Sequence, residues 1–185
     1  MSITMVILIV IAVLAIAVAA WAYMQREKTL KLRNKYGPEY ERLAEHEHSA
    51  RKAETILATR EQRVAKFNIR LLKPEEVARF SSDWRLVQEH FVDDPRESVG
   101  QADRLINEAL KARGYPMADF EQQAADLSVD HPQVVDNYRK AHAIAAQGAA
   151  ASTEDLRIAM QHYRSLFEDV LGQHVNQLEE VRHGK

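Results

Sequence analysis

The chain has 185 residues, a formal net charge of −2 at pH 7, 46% hydrophobic residues, six glycines and no cysteine. That length allows one modest soluble core beside a membrane anchor, and the missing cysteine excludes a disulfide framework and thiol catalysis. With so few glycines there is no phosphate-cradling loop: neither a Walker pattern nor a dinucleotide fingerprint nor a Gly-x-Ser-x-Gly elbow is present.

Residues 3–24 read ITMVILIVIAVLAIAVAAWAYM, with no charge and Thr4 as the ordinary polar side chain. As a helix this stretch is about 33 Å long, enough to cross a hydrocarbon core of roughly 30 Å. Trp21 and Tyr23 stand where interfacial aromatics belong. The competing reading is a cleaved secretory signal, with Ala17, Val18 and Ala19 as a cleavage-like run. An uncharged start and an apolar run longer than about 15 residues favour a retained anchor.

Directly after the span come Arg26, Lys28, Lys31, Arg33 and Lys35, with Glu27 as the single acid among them. The positive-inside rule puts this flank, and residues 25–185 with it, in the cytoplasm, and anionic headgroups would attract the same five cations. The expected topology is therefore a single membrane crossing with the C-terminal region on the cytoplasmic side. Charge then divides unevenly: residues 25–73 carry 13 Lys and Arg against 7 acids, and residues 74–185 carry 12 against 20. An acidic distal half excludes nucleic acid as its partner, because a phosphate-binding face needs the opposite sign.

Gly37-Pro38 interrupts the juxtamembrane helix, and Pro38 suits the first turn of a stalk helix expected to run to about Phe67. Leu43, Ala50, Leu57 and Val64 recur every seven residues, but Glu47, Glu54 and Glu61 occupy the companion positions. One apolar position per heptad supports a charged stalk, with self-association into a coiled coil as the lesser reading.

Pro74-Glu75-Glu76 opens the next helix, with Val77, Phe80, Trp84, Val87 and Phe91 as one apolar stripe. Asp94-Pro95-Arg96-Glu97 caps another, whose inner face is Val99, Ala102, Leu105, Ile106, Ala109 and Leu110, and which Gly114 and Pro116 terminate. Met117, Phe120, Ala124 and Leu127 predict a short helix. Asp130-His131-Pro132 reads as cap and first turn of the following one, with Val134, Val135, Tyr138, Ala141 and Ala145 inward. After the small-residue loop 147–151, Ser152 and Asp155 form a capping box before Leu156, Ala159, Met160, Tyr163, Phe167, Val170 and Leu171. The predicted fold is all-α: an anchor over residues 1–24, a basic juxtamembrane and stalk segment over 25–73, an acidic antiparallel bundle of four to five helices over 74–172, and a polar tail over 173–185.

Several of these segments taken together, namely Tyr36-Gly37-Pro38-Glu39-Tyr40, Phe91-Val92-Asp93-Asp94-Pro95, Arg113-Gly114-Tyr115-Pro116, residues 125–132 and Tyr138-Arg139-Lys140-Ala141-His142, resemble an uncharacterised family of bacterial membrane-anchored or secreted helical proteins. The resemblance runs from about Tyr36 to Leu171. It implies a bacterial origin and one anchor, and it brings no catalytic residues. Lys73, where the family pattern has Ser before Pro-Glu-Glu, departs from it at a helix cap.

Chemistry has few footholds. On a continuous helix His46 and His48 point about 200° apart and cannot share an ion. His142 and His162, with Asp136 and Glu168 nearby, lack the Glu-x-x-His spacing of bundle metal sites. No metal or cofactor is expected. The most distinctive loops leave Tyr115, Asp119, Asp126, His131 and Arg139 as a candidate polar patch. Two functional readings follow: a membrane-tethered helical module that binds a protein partner, and a small-ligand binder or enzyme using that patch. The second requires the five residues to converge on one concave site.

Overall fold

The computed structural model describes residues 3–183, so residues 1–2 and the last two of the expected tail lie outside the described residues. Among the described residues helix is the sole regular structure. The helices are α1 (Ile3–Tyr36), α2 (Pro38–His46), α3 (Ala50–Val64), α4 (Pro74–His90), α5 (Pro95–Arg113), α6 (Phe120–Asp130), α7 (Val135–Ala145) and α8 (Thr153–His183), with a single 3-10 turn at Gly148–Ala150. The chain divides into two compact units, Met1–Ile56 and Leu57–Lys185.

In the first unit α1 carries the apolar span and continues unbroken to Tyr36. None of its most apolar 18-residue window is buried. Val10, Ile11, Val13, Leu14, Ile16 and Val18 all stand exposed, as expected of a helix that lacks protein cover. The helix stops where Gly37 takes a positive φ of 49°, and Pro38 opens α2 as its first residue. Tyr36, Tyr40, Leu43 and Ala53 are all buried in this unit.

The stalk does not run continuously to Phe67. It breaks after His46, and His48 adopts a left-handed φ of 48°. The backbone N–H of Lys52 reaches back to Ser49 Oγ at 3.4 Å, so a local serine cap restarts the helix. Ala50 is exposed while Ala53 is fully buried, which breaks the seven-residue repeat at its second member.

The second unit is organised by α8, which packs on α7 and α5, with α4 against α5 and α6 against α7. Its core contains every apolar position expected on α5 and α8, and Leu166 besides. Trp84 of α4 lies stacked on Phe167 of α8, ring centroids 4.5 Å apart. Capping follows the sequence closely: Asp94 accepts from the Glu97 N–H at 3.0 Å, and Ser152 and Asp155 hold each other's backbone N–H at 3.1 and 2.9 Å. Gly114 ends α5 at φ 100°, with its N–H on the Lys111 carbonyl and the Tyr115 N–H on the Leu110 carbonyl.

Two expectations fail here. Met117 precedes α6 and is exposed rather than inward. Pro132 does not open α7: Asp130 is the last residue of α6, and the chain turns through residues 131–134 before α7 starts at Val135. The Val134 and Val135 N–H groups both bond the His131 carbonyl, so a hydrogen-bonded turn replaces the expected proline-led one. The backbone of the expected tail stays helical to His183.

Candidate functional site

Of the five residues of the candidate patch, Tyr115 and His131 lie with ring centroids 6.4 Å apart, and Asp126 is close enough to act on the Tyr115 phenol. Asp119 caps α6, accepting the Gln122 N–H at 3.0 Å. Arg139 lies half-buried on α7. Tyr115, Asp126 and His131 are buried, Tyr115 held by Asp130, which the sequence marked only as a cap, and the other two by partners far away in the chain.

His131 is the centre of this arrangement. Its side chain is fully enclosed, with Nδ1 against the Asp169 carboxylate of α8 and Nε2 3.2 Å from an Arg113 guanidinium nitrogen of α5. A guanidinium only donates, so Nε2 accepts and the ring hydrogen sits on Nδ1, facing Asp169. Arg113, itself buried, also donates to the Val170 carbonyl at 3.2 Å. The loop after α6 is thereby tied to both α5 and α8. Beside it, the Tyr115 hydroxyl donates to Asp130 at 2.6 Å, and its ring lies 6.4 Å from that of His131. Burial first, and the Asp130 carboxylate second, push the Tyr115 phenol far above its ordinary value. Asp126 pairs with Arg63, and the neighbouring Arg60 donates to Ser128 at 3.0 Å, which fastens the end of α3 onto α6.

These contacts occupy both His131 ring nitrogens, the Tyr115 hydroxyl and the Asp126 carboxylate. A buried imidazole held on both nitrogens ties the turn after α6 to α5 and α8. The other histidines show nothing more favourable. His142 stacks on Phe120 at 3.5 Å, while burial and then Lys140 lower the His162 pKa against the pull of Asp136. Among the described residues no three His, Asp or Glu side chains converge as metal donors.

Two cavities open elsewhere. One, of about 270 Å³, is an apolar groove between α4 and α8, walled by Val77, Trp84, Phe167 and Leu171 with Ser81 and Glu168 at its edge. The other, of about 440 Å³, lies on the first unit and is lined by Glu47, Ser49, Arg51, Lys52, Thr55 and Ile56. Sequence reading missed both. The first joins residues of α4 and α8, and the second begins at Glu47 and Ser49, beside the break in the stalk.

The basic flank is also more differentiated than its sequence. Arg33 forms a two-pronged ion pair with Glu41, which lowers the Glu41 pKa, and Lys35 lies 5.0 Å over the Tyr36 ring. Lys31 sits 3.9 Å from Glu27. Arg26 and Lys28 are exposed and have no carboxylate partner among the described residues. No protein-family model matches this chain, and no curated protein or solved structure matches it either.

Proposed function

We propose that this protein is a membrane-tethered helical interaction module, in which α1 crosses a bacterial inner membrane once and the acidic helices of the second unit, arranged as an antiparallel bundle, bind a protein partner on the cytoplasmic side. The observation that carries this reading is the wholly uncovered apolar window of α1, beside a second unit whose own polar groups are spent on holding its helices. Uncovered apolar area on that scale is stable in lipid and unstable in water. The basic exit of the span supports the orientation, the family resemblance supports the bacterial membrane, and the charged stalk provides a surface through which two copies can associate. A groove floored by a stacked Trp84 and Phe167 has the chemistry of a protein-docking site, since buried aromatics dominate interface energetics.

The test has two parts. In the cell envelope, the chain should resist extraction by alkaline carbonate, and protease added to intact spheroplasts should spare residues 57–185 but digest them after permeabilisation. With a photo-crosslinking amino acid in place of Ser81, a discrete protein adduct should form. Digestion in intact spheroplasts would overturn the orientation. No adduct, together with a small molecule recovered from the groove, would overturn the interaction reading.

A further inference from the structure

We infer that α3 supplies a second contact with the bilayer: Arg51 and Lys52 act with Arg26 and Lys28 as a two-helix clamp on acidic phospholipid headgroups. This inference rests on the reading of α1 as the membrane span. The heights follow from the helix rise. α1 is continuous, so with Met24 at the edge of the hydrocarbon, Arg26 and Lys28 stand about 3 and 6 Å beyond it. The headgroup layer is roughly 5 to 8 Å deep on each side.

α3 is fixed to the same level by side chains of the first unit. Thr29 of α1, about 7.5 Å past Met24 by the same rise, donates its hydroxyl to Glu54 of α3 at 2.6 Å. The buried Tyr40 lies beside this carboxylate, and burial first, with that charge second, raises the Tyr40 pKa. Lys52 and Arg51 precede Glu54 by two and three residues on one helix, so along its axis they lie within about 4.5 Å of that level whichever way α3 is inclined. Their flexible stems bridge what distance remains to the phosphates.

Charge pairing separates the cations by height. Arg26 and Lys28 at the level of the headgroups, and Arg51 and Lys52 within about 4.5 Å of the Thr29 level, are all exposed and have no carboxylate partner among the described residues. Farther out, Lys31 stands near Glu27, Arg33 is clamped by Glu41, and Lys35 lies on Tyr36. Beyond about 8 Å, a Debye length in physiological salt, lipid charge is screened, so the outer cations gain more from protein partners than from the bilayer. Arg51 and Lys52 also border the cavity of about 440 Å³ that Glu47, Ser49, Thr55 and Ile56 complete, a recess in which two cations and two hydroxyls outnumber one carboxylate, itself 3.1 Å from the His46 ring. The occupant is an acidic phospholipid, since cationic side chains without protein partners complement its charge.

The chain lacks cysteine, so single cysteines label cleanly. Full-length protein carrying a fluorophore at Thr55→Cys is placed in nanodiscs of phosphatidylcholine alone or with phosphatidylglycerol, each containing headgroup spin-labelled lipid. Quenching should be stronger with phosphatidylglycerol and should fall in about 1 M salt, where the Debye length is about 3 Å. Arg51→Gln and Lys52→Gln should each weaken the contact roughly fivefold, with circular dichroism unchanged because both side chains are exposed. A second label at Ala20→Cys, read with acyl-chain quenchers, reports on the span itself. If Ala20 is quenched while Thr55 quenching ignores both acidic lipid and the two substitutions, the clamp is refuted and the anchor stands. If Ala20 is not quenched, the anchor fails and the clamp with it.

Discussion

Replacing Gly114 by alanine isolates the most demanding backbone position in the second unit. Gly114 has φ 100°, and a Cβ built there would lie 2.2 Å from the Asn68 carbonyl oxygen and 3.0 Å from its carbon, backbone atoms that cannot rotate away. The left-handed conformation alone costs an L-residue about 1 to 2 kcal/mol. Relief of the clash requires residues 68–70 to move, and the Arg70 N–H that bonds the Arg113 carbonyl at 2.7 Å is then strained or lost, at about 1 kcal/mol more. The expected total is about 2 to 4 kcal/mol. Gly148 provides the control: its φ is 55°, but nothing lies within 4 Å of its Cβ position, so Gly148→Ala should cost only the conformational part, about 1 to 2 kcal/mol. Urea unfolding of the full chain in detergent, followed by far-ultraviolet circular dichroism, measures both. Equal destabilisation of the two variants would refute the argument that Gly114 is required by the approach of residue 68.

Two further outcomes follow from the buried polar groups. Arg113→Met leaves the Val170 carbonyl and His131 Nε2 without that donor in an enclosed site, and should cost about 2 to 5 kcal/mol by the same unfolding measurement; a loss under about 1 kcal/mol would show that the guanidinium is dispensable. The phenols of Tyr115, Tyr138 and Tyr163 are all raised far above their ordinary value of 10.0, chiefly by burial. A raised folded pKa contributes stability that is complete below the unfolded value near 10 and is lost as pH climbs above it. Absorbance at tyrosinate wavelengths should therefore show these three of the six tyrosines ionising only together with loss of helix; free titration of all six in the folded chain would contradict the buried assignment.

The sequence by itself determined whatever depends on local chemistry and on helical period. The length and uniform apolarity of residues 3–24 of α1 are properties of the residues alone, because a helix with nothing polar in 18 residues has few other solutions. The same holds for caps such as Asp94 and Ser152 and for the left-handed stop at Gly114, where the side chain, or its absence, acts within a few residues. The apolar faces of α5 and α8 were legible because a 3.6-residue period projects onto one side regardless of neighbours. Tertiary structure decided the rest. The break at His48, where α3 restarts on a weak serine cap, had no strong local signal, and it leaves Tyr40, Leu43 and Ala53 buried on either side of it.

The candidate patch shows the same division. Composition marked Tyr115, Asp126 and His131 as unusual in their loops, but their partners, Asp130, Arg63, Arg113 and Asp169, include residues 18 to 63 positions away. Only folding turns such pairs into enclosed contacts, and enclosure is what changes a candidate reactive group into a helix tie. On the first unit, five cations that are equivalent in sequence become unequal once Arg33 meets Glu41 and Thr29 meets Glu54, because pairing and height above the span are set by which helices are brought side by side.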